Sequence, residues 1–468
     1  MSIVSRRAAL GDWLDSRTGF RALLSSALDE PIPGGARWAY VFGSALVVTL
    51  VLQAATGVLL TFYYAPTIDH AHTTVAYVQK EVPLGWLIRG VHYYGASAVV
   101  VVLLLHLAQV FVWGAYKERR EALWLAGVLL LNLVLAFGFT GYLLPWDQKA
   151  YFGTGVAGGI AGSVPVLGGT LTEVLLGGSG IGQPTLSRFF SLHVFVLPVL
   201  SALFVVLHVY LFRYVGPAGP PTNAPPLGTE RFFPKQFSRD TLVAVLLVAA
   251  LAVLAWQRPA LLGPKADPSS PFIPRPDWYL LWTFQLLKFM PAFIGGVVLP
   301  GVLMTLLAAA PFLDRSASRA PRARVVPVSV FLAVFLLLGV ATLWAVWEDS
   351  RDPLIAAQAD EERRFLEAPF VPDEIGERAV ANEVPVAPVA PEVFLHNCAM
   401  CHGDSAEGRI GPSLVGVTAK PRRSTEDLVS LVENPRQYGL REAMPAFPQL
   451  SIAERREIAE WIATLGAR

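Results

Sequence analysis

The sequence predicts an all-α protein, a bundle of seven membrane-spanning helices followed by a small soluble all-α domain. Three observations carry that prediction. Hydrophobic residues make up 54% of the 468-residue chain and mean hydropathy is +0.49, far more apolar than a soluble domain of this size. Seven apolar stretches are long enough, or nearly so, to cross a hydrocarbon core of roughly 30 Å at about 20 residues each. The composition then changes in kind after residue 347.

Residues 1–37 are mixed in character, and no signal peptide is read ahead of the first span. The spans are read at 38–62, 86–113, 122–144, 189–212, 241–257, 293–313 and 325–347, the first four forming a part over 38–215 and the last three a part over 216–347. Lys and Arg crowd one face: five lie in the N-terminal segment and 16 on that side in all, against seven in the loops on the other. Positive flanks stay in the cytoplasm, so the N-terminus is cytoplasmic and the C-terminal domain lies on the opposite side. Residues 348–390 hold 11 carboxylates against four Arg and run into VPVAPVAPE, the composition of a stiff, extended tether. Residues 391–468 read as the soluble domain.

Both cysteines fall in that domain, in CAMCH: Cys398, Cys401 and His402. C-x-x-C-H is the attachment signature of a c-type haem, with two thioethers and His402 as one axial ligand. The natural sixth ligand is Met444 in EAMPAFPQLS, since Met400 lies inside the thioether loop. GPSL at 411–414 and an amphipathic helix near 453–465 suit a class I cytochrome c. Covalent haem attachment implies the oxidising side of a membrane, in agreement with the charge count.

The spans hold four histidines in two matched pairs, His92 and His106 fourteen apart, His193 and His208 fifteen apart. Each pair lies broadly on one helix face, roughly 21 to 22 Å apart along the axis. Ionisable groups inside a bilayer are costly and usually functional. Two such helices facing one another build two bis-histidine haem sites. Gly43 and Gly57 in the first span and Gly127 and Gly141 in the third repeat the spacing of fourteen, and a glycine lets a flat porphyrin lie against the backbone.

These features, with QAATGVLLTFYYAP (53–66), WLIRGVHYYGAS (86–97), GYLLPWDQ (141–148), GQPTLSRFFSLHVFVLP (182–198), PDWY (276–279) and PFLD (311–314), resemble cytochrome b of the quinol:cytochrome c oxidoreductases, the complex III family. The split photosynthetic form is especially similar, here with its four-helix and three-helix parts fused and a cytochrome c domain appended. The resemblance implies that His92 pairs with His193 for the haem near the outer face and His106 with His208 for the inner one. It implies a quinol oxidation site walled by the segment after the third span and by PDWY. There Asp277 would accept a proton, with Tyr279 and Tyr142 beside it. An N-cap of the helix starting at Trp278 is the alternative role for Asp277.

PDWY is one methylene shorter than the family's PEWY, and relatives with Asp here tend to use menaquinone. Arg89 and Arg188 would pair with outer-haem propionates, with interfacial snorkelling as the alternative. Asp240 aligns with an acidic residue of the family's quinone reduction site, or caps its helix. Val41 stands where the split relatives attach a third haem, which should be absent, and Gln109 replaces an Arg near the inner haem, leaving Arg213 or Lys117 to serve it. The implied partners are a Rieske iron–sulfur protein, quinol and quinone, a downstream cytochrome c or oxidase, the lipid membrane and a second copy of the chain within a multisubunit complex, with no nucleic acid. The implied setting is the electron-transport chain of a bacterial cytoplasmic membrane, with proton translocation. The competing reading is a haem-bearing membrane anchor that relays electrons for a dehydrogenase without bifurcating quinol.

Overall fold

The structure, a computed structural model, describes residues 12–178, 180–221, 228–270, 272–372, 390–408, 412–420, 423–438, 444 and 446–465. The Pro/Ala-rich run at 384–389 lies outside the described residues, as do Gly411 of GPSL and the residues on either side of Met444. Among the described residues seven helices are long and apolar enough to span a membrane: Trp38–Thr61, Gly85–Val112, Glu121–Leu143, Gln183–Val215, Lys235–Gln257, Ile294–Leu313 and Val325–Asp349.

In chain order the helices are α1 (Phe20–Leu28), α2 (Val41–Thr61), α3 (Ala71–Lys80), α4 (Gly85–Val112), α5 (Glu121–Leu143), α6 (Gln148–Gly162), α7 (Gly168–Leu176), α8 (Gln183–Ser191), α9 (Leu197–Val215), α10 (Lys235–Gln257), α11 (Leu281–Leu287), α12 (Leu299–Leu313), α13 (Val325–Asp349), α14 (Pro353–Glu367), α15 (Glu392–Asn397), α16 (Ala399–His402), α17 (Thr425–Glu433) and α18 (Ile452–Thr464). The chain divides into two compact units, residues 1–175 with 186–371, and residues 176–185 with 372–468.

In the first unit α2 packs along α4, α10 covers both, α9 packs along α5, and α12 also meets α5. The long spans are apolar on every side, as helices must be when lipid or other helices surround them. A π turn, Leu192–Val196, joins α8 to α9 and carries His193. Such turns re-aim side chains and gather at functional sites. One two-stranded ladder, Pro31–Pro33 against Thr229–Arg231, ties the N-terminal segment to the loop before α10.

The turn after α5 explains the polar, aromatic run that follows it. Trp146 adopts a left-handed φ of 51°. Asp147 then caps α6, its Oδ1 accepting from Ala150 N at 2.8 Å. The segment is pinned by Gln148 N donating to Pro264 O and Ala266 N donating to Trp146 O.

Two expectations are corrected. The stretch 348–390 is not an extended tether throughout, because Pro353–Glu367 forms α14 and residues to 371 belong to the first unit. Asp352 caps this helix by accepting from Leu354 N, with Pro353 in the first turn. Lys80 Nζ then donates to Phe365 O and Ala368 O at its far end, and the Phe365 ring sits 5.1 Å from that of His72. The fifth span begins at Lys235 rather than 241, so Asp240 lies inside α10 and does not cap it.

In the second unit Phe394, Cys398, Leu428, Leu450, Ile458 and Trp461 form a buried core, with Leu414 and Met444 packed against it. Capping boxes start both longer helices, Ser424 with Asp427 and Ser451 with Glu454.

Candidate functional site

Helices α2, α4, α5 and α9 bring the four intramembrane histidines into two pairs. The rings of His92 and His193 lie 6.4 Å apart, centre to centre, at 75° to each other. Two metal–imidazole bonds of about 2 Å each, plus half a ring on either side, span about 6 Å. The gap therefore fits one metal held between both rings. His106 and His208 form the second pair, close enough to interact electrostatically.

Each predicted glycine faces one of these rings. A methyl group built on Gly141 would lie 2.5 Å from His193 Cε1, one on Gly57 3.2 Å from His92 Cε1, one on Gly127 3.2 Å from His208 Cε1, and one on Gly43 4.0 Å from His106 Cε1. The shared spacing thus reflects a direct fit between glycine backbone and imidazole.

Thr56 and Thr140, absent from the sequence reading, complete the first pair. Thr56 Oγ1 donates to Leu52 O and lies 2.9 Å from His92 Nδ1. Thr140 Oγ1 donates to Ala136 O and lies 3.1 Å from His193 Nδ1. With its own proton committed, each hydroxyl accepts from Nδ1–H. That tautomer leaves Nε2 free for a metal, the usual arrangement around ligating histidines. The one available signal was the dipeptide Thr-Gly at 56–57 and 140–141, found at the two glycines facing this pair.

Beside the first pair is a cavity of about 170 Å³, lined by Tyr142 of α5, Gly153 and Ile160 of α6, Asp277, Tyr279, and Phe284 of α11. An open apolar groove of about 500 Å³ continues from it past Phe139, Ala157 and Ile160. Helix α5 serves both: Gly138 meets the Tyr279 hydroxyl at the cavity and, nearly one turn on along the same face, Gly141 meets His193.

Asp277 sits at the N-cap position of the turn Trp278–Leu280 but makes no capping hydrogen bond. Its carboxylate is spent elsewhere. Oδ1 lies 3.0 Å from Lys149 Nζ, and Oδ2 accepts from the Tyr279 hydroxyl at 3.3 Å. The Tyr142 hydroxyl donates to Lys149 O at 2.7 Å. Burial, then the neighbouring carboxylate, pushes the Tyr279 hydroxyl above its ordinary value. Burial, the largest single influence, would lower Lys149, yet the Asp277 carboxylate with Tyr93 and Tyr142 together outweighs it and holds the ammonium above its ordinary value. Glu362 of α14 is pushed up by burial and then by Asp147.

Arg89 is buried, with its guanidinium donating to Gln79 Oε1, Ala260 O and Leu261 O. All three acceptors are neutral, so among the described residues it has no ion-pair partner. Arg188 is tied to the carbonyls of Glu173 and Val174. At the opposite end of the bundle Asp240 accepts from Gln236 Nε2 at 2.7 Å. Lys117 and Arg213 already hold carboxylates, Asp314 at 3.0 Å and Glu30 at 3.1 Å, so neither stands free to serve the second pair.

In the second unit a short turn brings Cys398, Cys401 and His402 together, with His402 N donating to Cys398 O. Burial, then Cys401, pushes the Cys398 thiol up to about 11. His402 is buried and its Nδ1 lies 2.8 Å from Pro412 O, which again leaves Nε2 free. The donor set fits a covalently attached haem.

Three family descriptions match the chain in series: "Cytochrome b/b6/petB" over residues 27–216, "Cytochrome b(C-terminal)/b6/petD" over 265–358, and "Cytochrome C oxidase, cbb3-type, subunit III" over 388–462. The cytochrome b6 of Gracilaria tenuistipitata var. liui is 40% identical over 209 residues, 45% of this chain and 97% of that protein. The cytochrome b6 of Porphyra purpurea is 41% identical with the same coverage. A solved chain of a hyperthermophilic respiratory Complex III aligns with a TM-score of 0.66 at 27% identity, over 76% of this chain and 96% of that one.

Proposed function

The chain belongs to the cytochrome b/b6 family and carries a cytochrome c domain, and on that premise we propose that it is the cytochrome b/c subunit of a quinol:cytochrome c oxidoreductase. One observation carries the reading. Asp277, free of any capping duty, faces a cavity lined by α5, the same helix whose Gly141 meets His193 of the first pair.

Quinol enters the cavity along the apolar groove, and Asp277 accepts its hydroxyl proton while Tyr279 and Tyr142 fix the carboxylate and the cavity wall. His92 with His193 and His106 with His208 would hold two b haems, and Cys398, Cys401, His402 and Met444 one c haem. Bound there, these haems would supply one-electron carriers within the bilayer near each of its faces and outside it. Arg89, a buried cation with neutral acceptors only, suits a haem carboxylate. Asp240, at the opposite end of the bundle, marks the region where a quinone would be reduced. The Lys/Arg asymmetry supports a cytoplasmic position for that end and an outer one for PDWY, and the proposed setting is a bacterial inner membrane.

A Rieske partner takes the first electron from quinol and passes it to the fused c domain, which acts as a tethered acceptor at high effective concentration. We further propose a homodimer within a multisubunit complex, with menaquinol as substrate. Purified as that complex, the protein should show a Rieske-type EPR signal, two b haems to one c haem per chain, and quinol-dependent cytochrome c reduction. Haem reduction by a dehydrogenase, with no Rieske signal and no quinol dependence, would establish the electron-relay anchor instead.

A further inference from the structure

Lys149 lies on α6, just past the GYLLPWDQ stretch, and its ammonium reaches back 3.0 Å to the carboxylate of Asp277. The pair bridges segments 128 residues apart in sequence. Lys149 Nζ also stands 5.3 Å from the centre of the Tyr142 ring, and the Tyr142 hydroxyl holds the Lys149 carbonyl. About 26% of the Lys149 side chain and 31% of the Asp277 side chain stay accessible, so the carboxylate is reachable while paired. The other ionisable groups around the pair are Tyr93 from α4, Tyr142 from α5, Asp147 at the start of α6, Tyr279 beside Asp277, and Glu362 from α14. A further cation, Arg89 of α4, acts on Tyr93 and Asp147 behind the pair.

We propose that Lys149 is the positioning and charge-balancing residue for quinol deprotonation, holding Asp277 at the cavity wall and keeping the site neutral as the proton moves. This rests on the reading of Asp277 as proton acceptor. In the step itself a quinol O–H bond breaks and an O–H bond forms on the Asp277 carboxylate, with no electron transferred. Before it, the cavity holds neutral quinol beside a carboxylate–ammonium pair. After it, the cavity holds a neutral carboxylic acid, a quinol oxyanion and the same ammonium. The net charge is zero throughout, and the ammonium exchanges one anionic partner for another. Without Lys149 the same step runs with an uncompensated negative charge in a partly desolvated site, which is unfavourable at every stage.

The test uses the purified complex with Lys149→Met and Lys149→Arg, measuring quinol oxidation against pH, with haem content as the check on folding. Lys149→Met should slow turnover about 10-fold near neutrality and move the acid limb of the pH–rate profile about one unit to higher pH, the scale of losing one close charge partner. Lys149→Arg, which keeps the cation, should recover both. An unchanged acid limb in the Met variant, or an Arg variant as slow as Met, would overturn the inference. Asp277→Asn separates this from the parent reading. Full activity in Asn defeats the parent reading, whereas an inactive Asn beside a normal Lys149→Met defeats only the role of Lys149.

Discussion

The four glycines facing the intramembrane histidines permit a graded test, because the same substitution meets a different clearance at each position. An alanine methyl at Gly141 would lie 2.5, 3.0 and 3.1 Å from three atoms of the His193 ring, closer than carbon atoms approach without displacing one another. The ring must tilt or α5 must move. Overpacking of this kind costs about 1–3 kcal/mol, which is about 5- to 150-fold in affinity for whatever the ring holds. At Gly57 and Gly127 the nearest ring atom is 3.2 Å away, so a few tenths of an ångström of relaxation suffices. At Gly43 the methyl meets His106 at 4.0 Å, an ordinary contact. The assay is the b-to-c haem ratio after detergent washing, with the covalent c haem as internal standard. Gly141→Ala should fall from two b haems toward one, Gly57→Ala and Gly127→Ala should lose a fraction, and Gly43→Ala should keep two. A Gly43→Ala variant that loses haem as completely as Gly141→Ala would refute the reasoning.

Thr140→Val removes the acceptor of His193 Nδ1–H at nearly constant shape, and should weaken retention of one b haem by about 10-fold, the low end for losing such a support; full retention after washing would count against it. Met444→Ala should leave the c haem covalently attached through Cys398 and Cys401 while lowering its potential and removing the thioether-to-iron band of the oxidised spectrum. At the end of the bundle opposite PDWY, Asp314 accepts from Lys117, Tyr116 and Arg324. Burial pushes its carboxyl up, but these three partners outweigh that and bring it to about 2. Since the folded value lies below the unfolded one, near 3.9, its stabilisation is complete above about pH 4 and is lost as pH falls toward 2. Asp314→Asn should cost about 3 kcal/mol at neutral pH by leaving Lys117 and Arg324 without their carboxylate, seen as earlier thermal unfolding in detergent.

Period and motif made much of this protein legible. Seven apolar runs of membrane length, four histidines at matched spacing and C-x-x-C-H each encode their structure within one segment. What escaped was set by partners far apart in the chain or by signals that look ordinary. Thr56 and Thr140 bond back to carbonyls four residues earlier, the default for a threonine in an apolar helix, and only their contact with a histidine on another helix distinguishes them. Lys149 belongs to no motif of its own, and only the carboxylate of Asp277, 128 residues away, marks it out. Helix α14 was hidden by its charge: eleven carboxylates suggested a solvated tether, although Asp352-Pro353 is a helix start. Asp240 was placed at a helix end because the preceding turn, Lys235 to Arg239, is polar, yet those residues already belong to α10.

The most direct test of the central claim is quinol:cytochrome c activity of the complex carrying Asp277→Asn, measured beside Asp277→Ala with haem content and thermal stability. Asn keeps shape and any capping ability but cannot accept a proton, so turnover should fall about 10²-fold or more while all haems stay bound. Near-normal turnover in Asn would contradict the assignment and leave Asp277 a structural anchor for Lys149 and Tyr279.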